Sequence, residues 1–195
     1  MKKILLFVLL VFALFFSFER VSETQTKTEK SLPGQDNNKP KIVAVDTNKL
    51  EAFSYDAGKI KFIASSEETN GAFAVMENTE LPGYKTTWHR HNHTEETFYV
   101  LEGTLTIKMN DKVSEFPAGS YVMVPRGTPH GQGNFSKNPV RFILTVTPGG
   151  YERRFRERID IFKTTKPGDP DFNKKQTESR ANVDSEVLGV WDVKK

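Results

Sequence analysis

Between Thr97 and Phe116 the chain reads TFYVLEGTLTIKMNDKVSEF, and no other segment restricts the fold as much. Leu105, Ile107 and Met109 fall on one face at period two, and Asn110-Asp111 supplies a hairpin turn into Lys112–Phe116. The same pattern continues on either side. KIKFIA (59–64), GAFAVME (71–77), SYVMVP (120–125) and VRFILTVTP (140–148) are short apolar or alternating runs bounded by turn residues. About six strands with no long helical pattern among them predict an all-β antiparallel sandwich or barrel.

Three of the four histidines lie in HRHNHTEETFYVLEG, residues 89–103. In an extended strand, residues i and i+2 project from one face, so His89 and His91 point the same way and can share one ion. The pair His91 and His93 satisfies the same rule and competes for that register. The spacing from Gly83 and to Glu96 favours His89 and His91. A tight turn across Asn92–Glu95 is expected to bring the Glu96 carboxylate back to their face. Beyond it, Glu96, Phe98 and Val100 share one side of a strand, with Thr97, Tyr99 and Leu101 on the other. The fourth histidine, His130, follows Pro125-Arg126-Gly127-Thr128-Pro129, a stiff turn that would hold a distant ligand at low entropic cost.

These residues form two ordered motifs. The first is Gly83, five residues, His89-x-His91, four residues, Glu96, six residues, Gly103. The second is Gly119, five residues, Pro125-x-Gly127, two residues, His130, three residues, Asn134. Together they resemble the paired motifs of the cupin superfamily. The flanks GAFAVMENTELPG (71–83) and VTPGGYERRFRE (146–157) are similar to single-domain bacterial cupins of the quercetin 2,3-dioxygenase-like type. The resemblance implies a double-stranded β-helix (jelly-roll) barrel over 42–163, with a short helical C-terminal extension over 164–195. It implies one divalent transition metal (iron, manganese, nickel, copper or zinc) held by His89, His91, Glu96 and His130. Glu96 would also be the catalytic base, and a second copy of the chain the expected partner.

Other residues have plainer readings. His93 is expected to face solvent or to support the ligands, Glu95 to be exposed, and Arg126 to sit on a surface turn. Phe73, Met76, Phe98, Tyr99, Met123 and Phe142 are read as core or pocket wall. After Gly150 the pattern turns helical. Tyr151, Phe155, Ile159 and Phe162 recur at helical intervals, with the arginines of YERRFRERIDIF (151–162) read as a solvated face. A short helix is expected from about residue 171, and EVLGVWDV (186–193) reads as a terminal strand or docking segment.

The first residues, MKKILLFVLLVFALFFSF, place two lysines before an unbroken apolar run. This is the pattern of an export signal or uncleaved anchor over 1–22, and it places the body outside the cytoplasm, periplasmic or secreted. Any membrane contact is expected through this segment alone. Residues 23–41 are polar, with Pro33-Gly34 and Pro40, and read as a disordered linker. The chain has no cysteine, which excludes disulfides, thiolate catalysis and a cysteine-linked lipid anchor. The net charge of +3 comes largely from the first residues, so nothing suggests a nucleic-acid partner. The leading functional expectation is a metal-dependent dioxygenase acting on a small organic substrate. The alternatives are a non-oxidative cupin enzyme (isomerase, decarboxylase or lyase), or a protein that binds a small molecule or metal without turnover.

Overall fold

The computed structural model describes residues 40–193. The expected export segment over 1–22, and the linker as far as residue 39, lie outside the described residues. Eleven strands carry the described chain: β1 (Phe53–Tyr55), β2 (Gly58–Ala64), β3 (Ala74–Glu80), β4 (Trp88–Arg90), β5 (Glu95–Glu102), β6 (Thr104–Met109), β7 (Lys112–Pro117), β8 (Tyr121–Val124), β9 (His130–Gly133), β10 (Val140–Thr147) and β11 (Glu186–Gly189). Two helices, α1 (Glu152–Thr164) and α2 (Pro170–Ala181), follow β10. The strands form a six-stranded sheet in the order β1-β2-β3-β10-β5-β8 and a five-stranded sheet in the order β11-β4-β9-β6-β7. All pairings are antiparallel. This is the jelly-roll architecture expected from the sequence.

Alternation builds the interior. In β5, Glu96, Phe98 and Val100 are buried while Tyr99 is exposed; in β10, Val140, Phe142, Leu144 and Val146 all point inward. The opposite sheet answers with Leu105 and Ile107. Burying such side chains stabilises by roughly 1.5–3 kcal/mol each, and the period of two fixes which face does it. Phe98, Met76 and Phe142 are core, as expected. Phe73, Tyr99 and Met123 are not, being at least 40% exposed. Tyr99 and Met123 occupy outward positions of β5 and β8, and the alternation that buries their neighbours excludes them.

Gly103 makes the crossing from one sheet to the other. Its φ of 75° is left-handed, and a Cβ there would lie 2.6 Å from the carbonyl oxygen of Pro139. Only glycine meets both conditions. Asn134, fully buried, ties the other motif together: its side-chain amide donates to the carbonyls of Glu80 and Asn138 at 2.9 and 2.8 Å. This motif asparagine is therefore an architectural residue.

The structure revises three expectations. First, the described residues form eleven strands rather than about six; β1 and β9, at three and four residues, are too short to show a period in sequence. Second, the turn after His91 hands the chain to the opposite sheet, so Glu96 faces the histidines across the barrel rather than from their own face. Third, the arginines of α1 do not form a solvated face. Arg153 and Arg156 are exposed, but Arg154 is 4% exposed and Arg158 stacks over the Tyr55 ring at 4.9 Å. Positions 151, 154, 155 and 158 follow the i, i+3, i+4, i+7 rule, so both arginines share the inward face with Tyr151 and Phe155.

The segment after α2 closes the smaller sheet. β11 pairs with β4, with Val187 opposite His89. Trp191 then lies against Gly131 so closely that a Cβ on Gly131 would be 2.4 Å from the indole nitrogen. That nitrogen donates to the Thr86 carbonyl at 2.9 Å. Truncating this buried indole by Trp191→Ala is expected to cost about 3 kcal/mol of stability. Thermal unfolding followed by circular dichroism should show the melting point fall by roughly 6–12 °C. An unchanged midpoint would mean that the strap contributes nothing to the barrel.

Candidate metal centre

His89 comes from β4, His91 from the residue after it, and His130 from the start of β9. His89 and His130 are directly paired across the two strands. Glu96 comes from β5 in the other sheet. All four side chains are buried, and one ligand-type atom from each lies within 4.8 Å of all the others. The sequence expectation named these four, and the fold brings them together. His93 is exposed and stays outside the cluster; Glu95, half-buried, pairs with the exposed Arg126 at 3.0 Å.

Each imidazole is locked through its Nδ1. His89 meets the carbonyl of Thr87 at 2.8 Å, and His130 meets that of Thr128 at 2.9 Å, both two residues upstream. His91 meets the carbonyl of Asp184. A carbonyl only accepts, so Nδ1 carries the proton in all three rings and each neutral ring presents the lone pair of Nε2. The turn before His130 is itself fixed, with Gly127 N–H donating to the His91 carbonyl at 2.6 Å. Supporting hydrogen bonds of this kind are what orient metal-ligating histidines.

The Nε2 atoms converge on Glu96. Its Oε2 lies 3.1 Å from His130 Nε2 and its Oε1 lies 3.4 Å from His91 Nε2. Two lone pairs facing two carboxylate oxygens need a cation between them, either protons or a metal ion. Donors about 2.1 Å from one ion lie roughly 3.0–3.4 Å apart, which matches these two separations. His91 Nε2 is buried and lacks a well-aligned hydrogen bond. Three imidazole nitrogens and one carboxylate suit iron, manganese, nickel, copper or zinc and not the oxygen-seeking calcium or magnesium. The residues therefore fit a divalent transition metal.

The electrostatics agree. Burial and the neighbouring His130 push His89 down to about 3, so this ring stays neutral near pH 7. Burial would raise Glu96, but positive charge held between it and the Nε2 atoms of His91 and His130 outweighs this and holds the carboxyl well below its usual range. Burial opposes protonation of His91, yet Glu96 and the Asp184 carbonyl raise it. A buried negative carboxylate thus sits among imidazoles, and positive charge is drawn to it.

A cavity of about 270 Å³ reaches this cluster, and of the four residues only His89 and Glu96 line it. Its walls include Tyr84, Thr86, Gln132, Tyr151, Arg154, Arg158 and Arg180. The Tyr151 ring lies 4.6 Å from that of His91, edge to face. Burial, then the charge of Glu96, pushes the Tyr151 phenol up to about 12, so it keeps its proton. Tyr151, Arg154, Arg158 and Asp184 were not expected at the site. For the first three the signal was present in the helical spacing. Asp184 gave none, since its contact with His91 spans 93 residues.

The family described as Cupin domain matches residues 79–147. The quercetin 2,3-dioxygenase of Bacillus subtilis (strain 168) is 27% identical over 103 residues, which is 53% of this chain but only 30% of that protein. An uncharacterized protein of Methanocaldococcus jannaschii is 24% identical over 110 residues, covering 55% of this chain and 88% of the other. Among solved structures, a predicted oxalate decarboxylase from Thermotoga maritima superposes with a TM-score of 0.50 at 18% identity, over 54% of this chain and 98% of that one. This last likeness is one of fold. Tyr151, Arg154, Arg158, Arg180 and Asp184 all lie outside the matched family region.

Asp184 holds the turn between His91 and Glu96 as well as the His91 ring. Its carboxylate accepts from the N–H groups of Asn92 and His93 at 2.9 and 2.7 Å. The substitution Asp184→Ala should leave the barrel folded and weaken metal binding about 10- to 100-fold. Competition against a chromogenic chelator would measure it. Unchanged affinity would show that the turn between His91 and Glu96 needs no such support; the Asp184 carbonyl that meets the His91 ring belongs to the backbone and survives the substitution.

Proposed function

A cupin domain spans residues 79–147 of this chain, and on that footing we propose that the protein is a metal-dependent dioxygenase acting on a small organic substrate. The observation that carries the reading is the shared tautomer of the three histidines. With every Nδ1 proton committed to a backbone carbonyl, three Nε2 lone pairs and the Glu96 carboxylate face one point at the inner end of a cavity. The B. subtilis relative, a quercetin 2,3-dioxygenase, supports oxygen chemistry for the matched region.

A divalent metal at that point would polarise a bound oxygen of the substrate and lower its proton affinity. The chain's own residues supply the rest. Glu96 and His89 are the two members of the cluster that a molecule in the cavity meets. Glu96 stays ionised, so it can accept the proton a bound hydroxyl or enol gives up. Tyr151, protonated beside it, can donate a hydrogen bond to the oxygen that develops charge. Leu144 and Phe155 add apolar surface to the cavity lining, which would keep water from part of it.

Elemental mass spectrometry on the full chain should find a near-stoichiometric transition metal, lost in a His89→Ala/His130→Ala variant. Absence of metal from both proteins after reconstitution would sink the reading. Oxygen consumption with flavonols and diketones should accompany turnover. A Glu96→Gln variant that keeps its metal should lose about 10²–10⁴ in kcat. Turnover that survives strict anaerobiosis would move the chemistry to an isomerase, decarboxylase or lyase of the same fold.

A further inference from the structure

Residues of α1 and α2 build part of the cavity wall, and its charge is unbalanced. Lys85, Arg154, Arg158 and Arg180 line the cavity, against the carboxylates of Asp56 and Glu96. Lys85 is paired with Asp192 at 3.4 Å, and Asp56 lies 3.7 Å from Arg158. Glu96 is committed to the histidines. That leaves Arg154 and Arg180 without a carboxylate partner among the described residues.

Arg154 is the telling case. It is 4% exposed, and its two terminal nitrogens donate to neutral groups, Ser179 Oγ at 2.8 Å and Gln176 Oε1 at 2.6 Å. A buried guanidinium held by neutral acceptors carries a desolvation cost that Glu157, reached through the Ser179 hydroxyl, offsets only in part. Burial, with Arg158 and Arg180 next, pushes it down to about 10. Arg180 is half-buried beside it and makes no side-chain hydrogen bond or ion pair among the described residues. The Nε of Arg158 is buried and unpaired. Three guanidinium groups with unused N–H donors thus converge on one small cavity whose inner end is Glu96 and His89.

We propose that the cavity takes a small organic acid whose carboxylate docks on Arg154, Arg158 and Arg180 while its other end reaches the Glu96 and His89 end. This names the substrate class for the metal-centre reading above and rests on it. A carboxylate fits better than a phosphate, because Arg154 and Arg158 already give several N–H groups to Ser179, Gln176 and Tyr84. The donors that remain match two oxygens in a plane. The cavity falls just below the usual range for ligand sites, which favours a compact molecule. The arginines and both helices lie outside residues 79–147, so the preference belongs to this chain rather than to its family region.

The test uses the full chain loaded with Co²⁺, whose visible spectrum reports on the centre. Dicarboxylates from malonate to adipate are titrated by calorimetry, with the matching diamides and inorganic phosphate as comparisons. At least one dicarboxylate should bind and shift the Co²⁺ spectrum, with its diamide weaker by about tenfold or more. The variant Arg180→Gln removes a charge that no described residue pairs, so it should fold and bind Co²⁺ normally yet lose about tenfold in dicarboxylate affinity. Arg154→Gln should lose more, with circular dichroism reporting whether α2 remains docked. Equal binding of acid and diamide, no dicarboxylate binding at about 10 mM, or tighter binding of phosphate overturns the proposal. Failure to bind Co²⁺ with dicarboxylate binding intact and sensitive to Arg180→Gln sinks the metal reading and leaves the anion site standing.

Discussion

His89, His91 and His130 each give an Nδ1 proton to a backbone carbonyl, and the centre of the barrel depends on that choice. Had any ring protonated Nε2 instead, it could have satisfied Glu96 by an ordinary hydrogen bond. With Nδ1 committed, the neutral rings oppose lone pairs to carboxylate oxygens at 3.1 and 3.4 Å. That arrangement is repulsive until a cation enters. The backbone sets it: two of the carbonyls belong to the residues two places before their histidines, Thr87 and Thr128, and the third is Asp184. The same strand geometry that aims the rings inward also fixes which nitrogen they offer.

The two sheets divide the work. The smaller sheet carries the three histidines on β4, its following residue and β9. The larger sheet brings Glu96 up against them from β5, in the same inward row as Phe98 and Val100. A polar cluster at the heart of a barrel is tolerable only if its groups are satisfied, and here a cation held across the gap between sheets would satisfy them. The cluster therefore depends on the packing distance of the core, and the core on the alternation of β5 and β10.

Much of this was legible in the sequence because the ligands sit on elements whose geometry is local. A strand fixes that His89 and His91 face one way, and the turn from Pro125 to Pro129 fixes where His130 begins. Period two in β5 told that Glu96 and Phe98 share a face. The helix was legible as a helix but misread in one respect, since charged residues were assigned to solvent. The inward position of Arg154 depends on Gln176 and Ser179, which lie on another helix. Contacts of that range leave no periodic trace. Nor does the support of His91 by Asp184, or the packing of Trp191 on Gly131. Strands of three or four residues, such as β1 and β9, are too short for any pattern and exist because neighbours pair with them.

The pairing of β11 with β4 ties the histidine strand to a segment that is synthesised after all four ligand residues. Val187 lies opposite His89, and the carbonyl that orients His91 belongs to Asp184. A nascent chain that has released β4 through β10 already holds all four ligand residues, but one imidazole is free to turn and the edge of its sheet is open. The finished centre appears only once Asp184 and β11 are also available to fold. Incomplete chains should thus be poor metal scavengers, and the ion would be taken up from whatever medium surrounds the completed barrel.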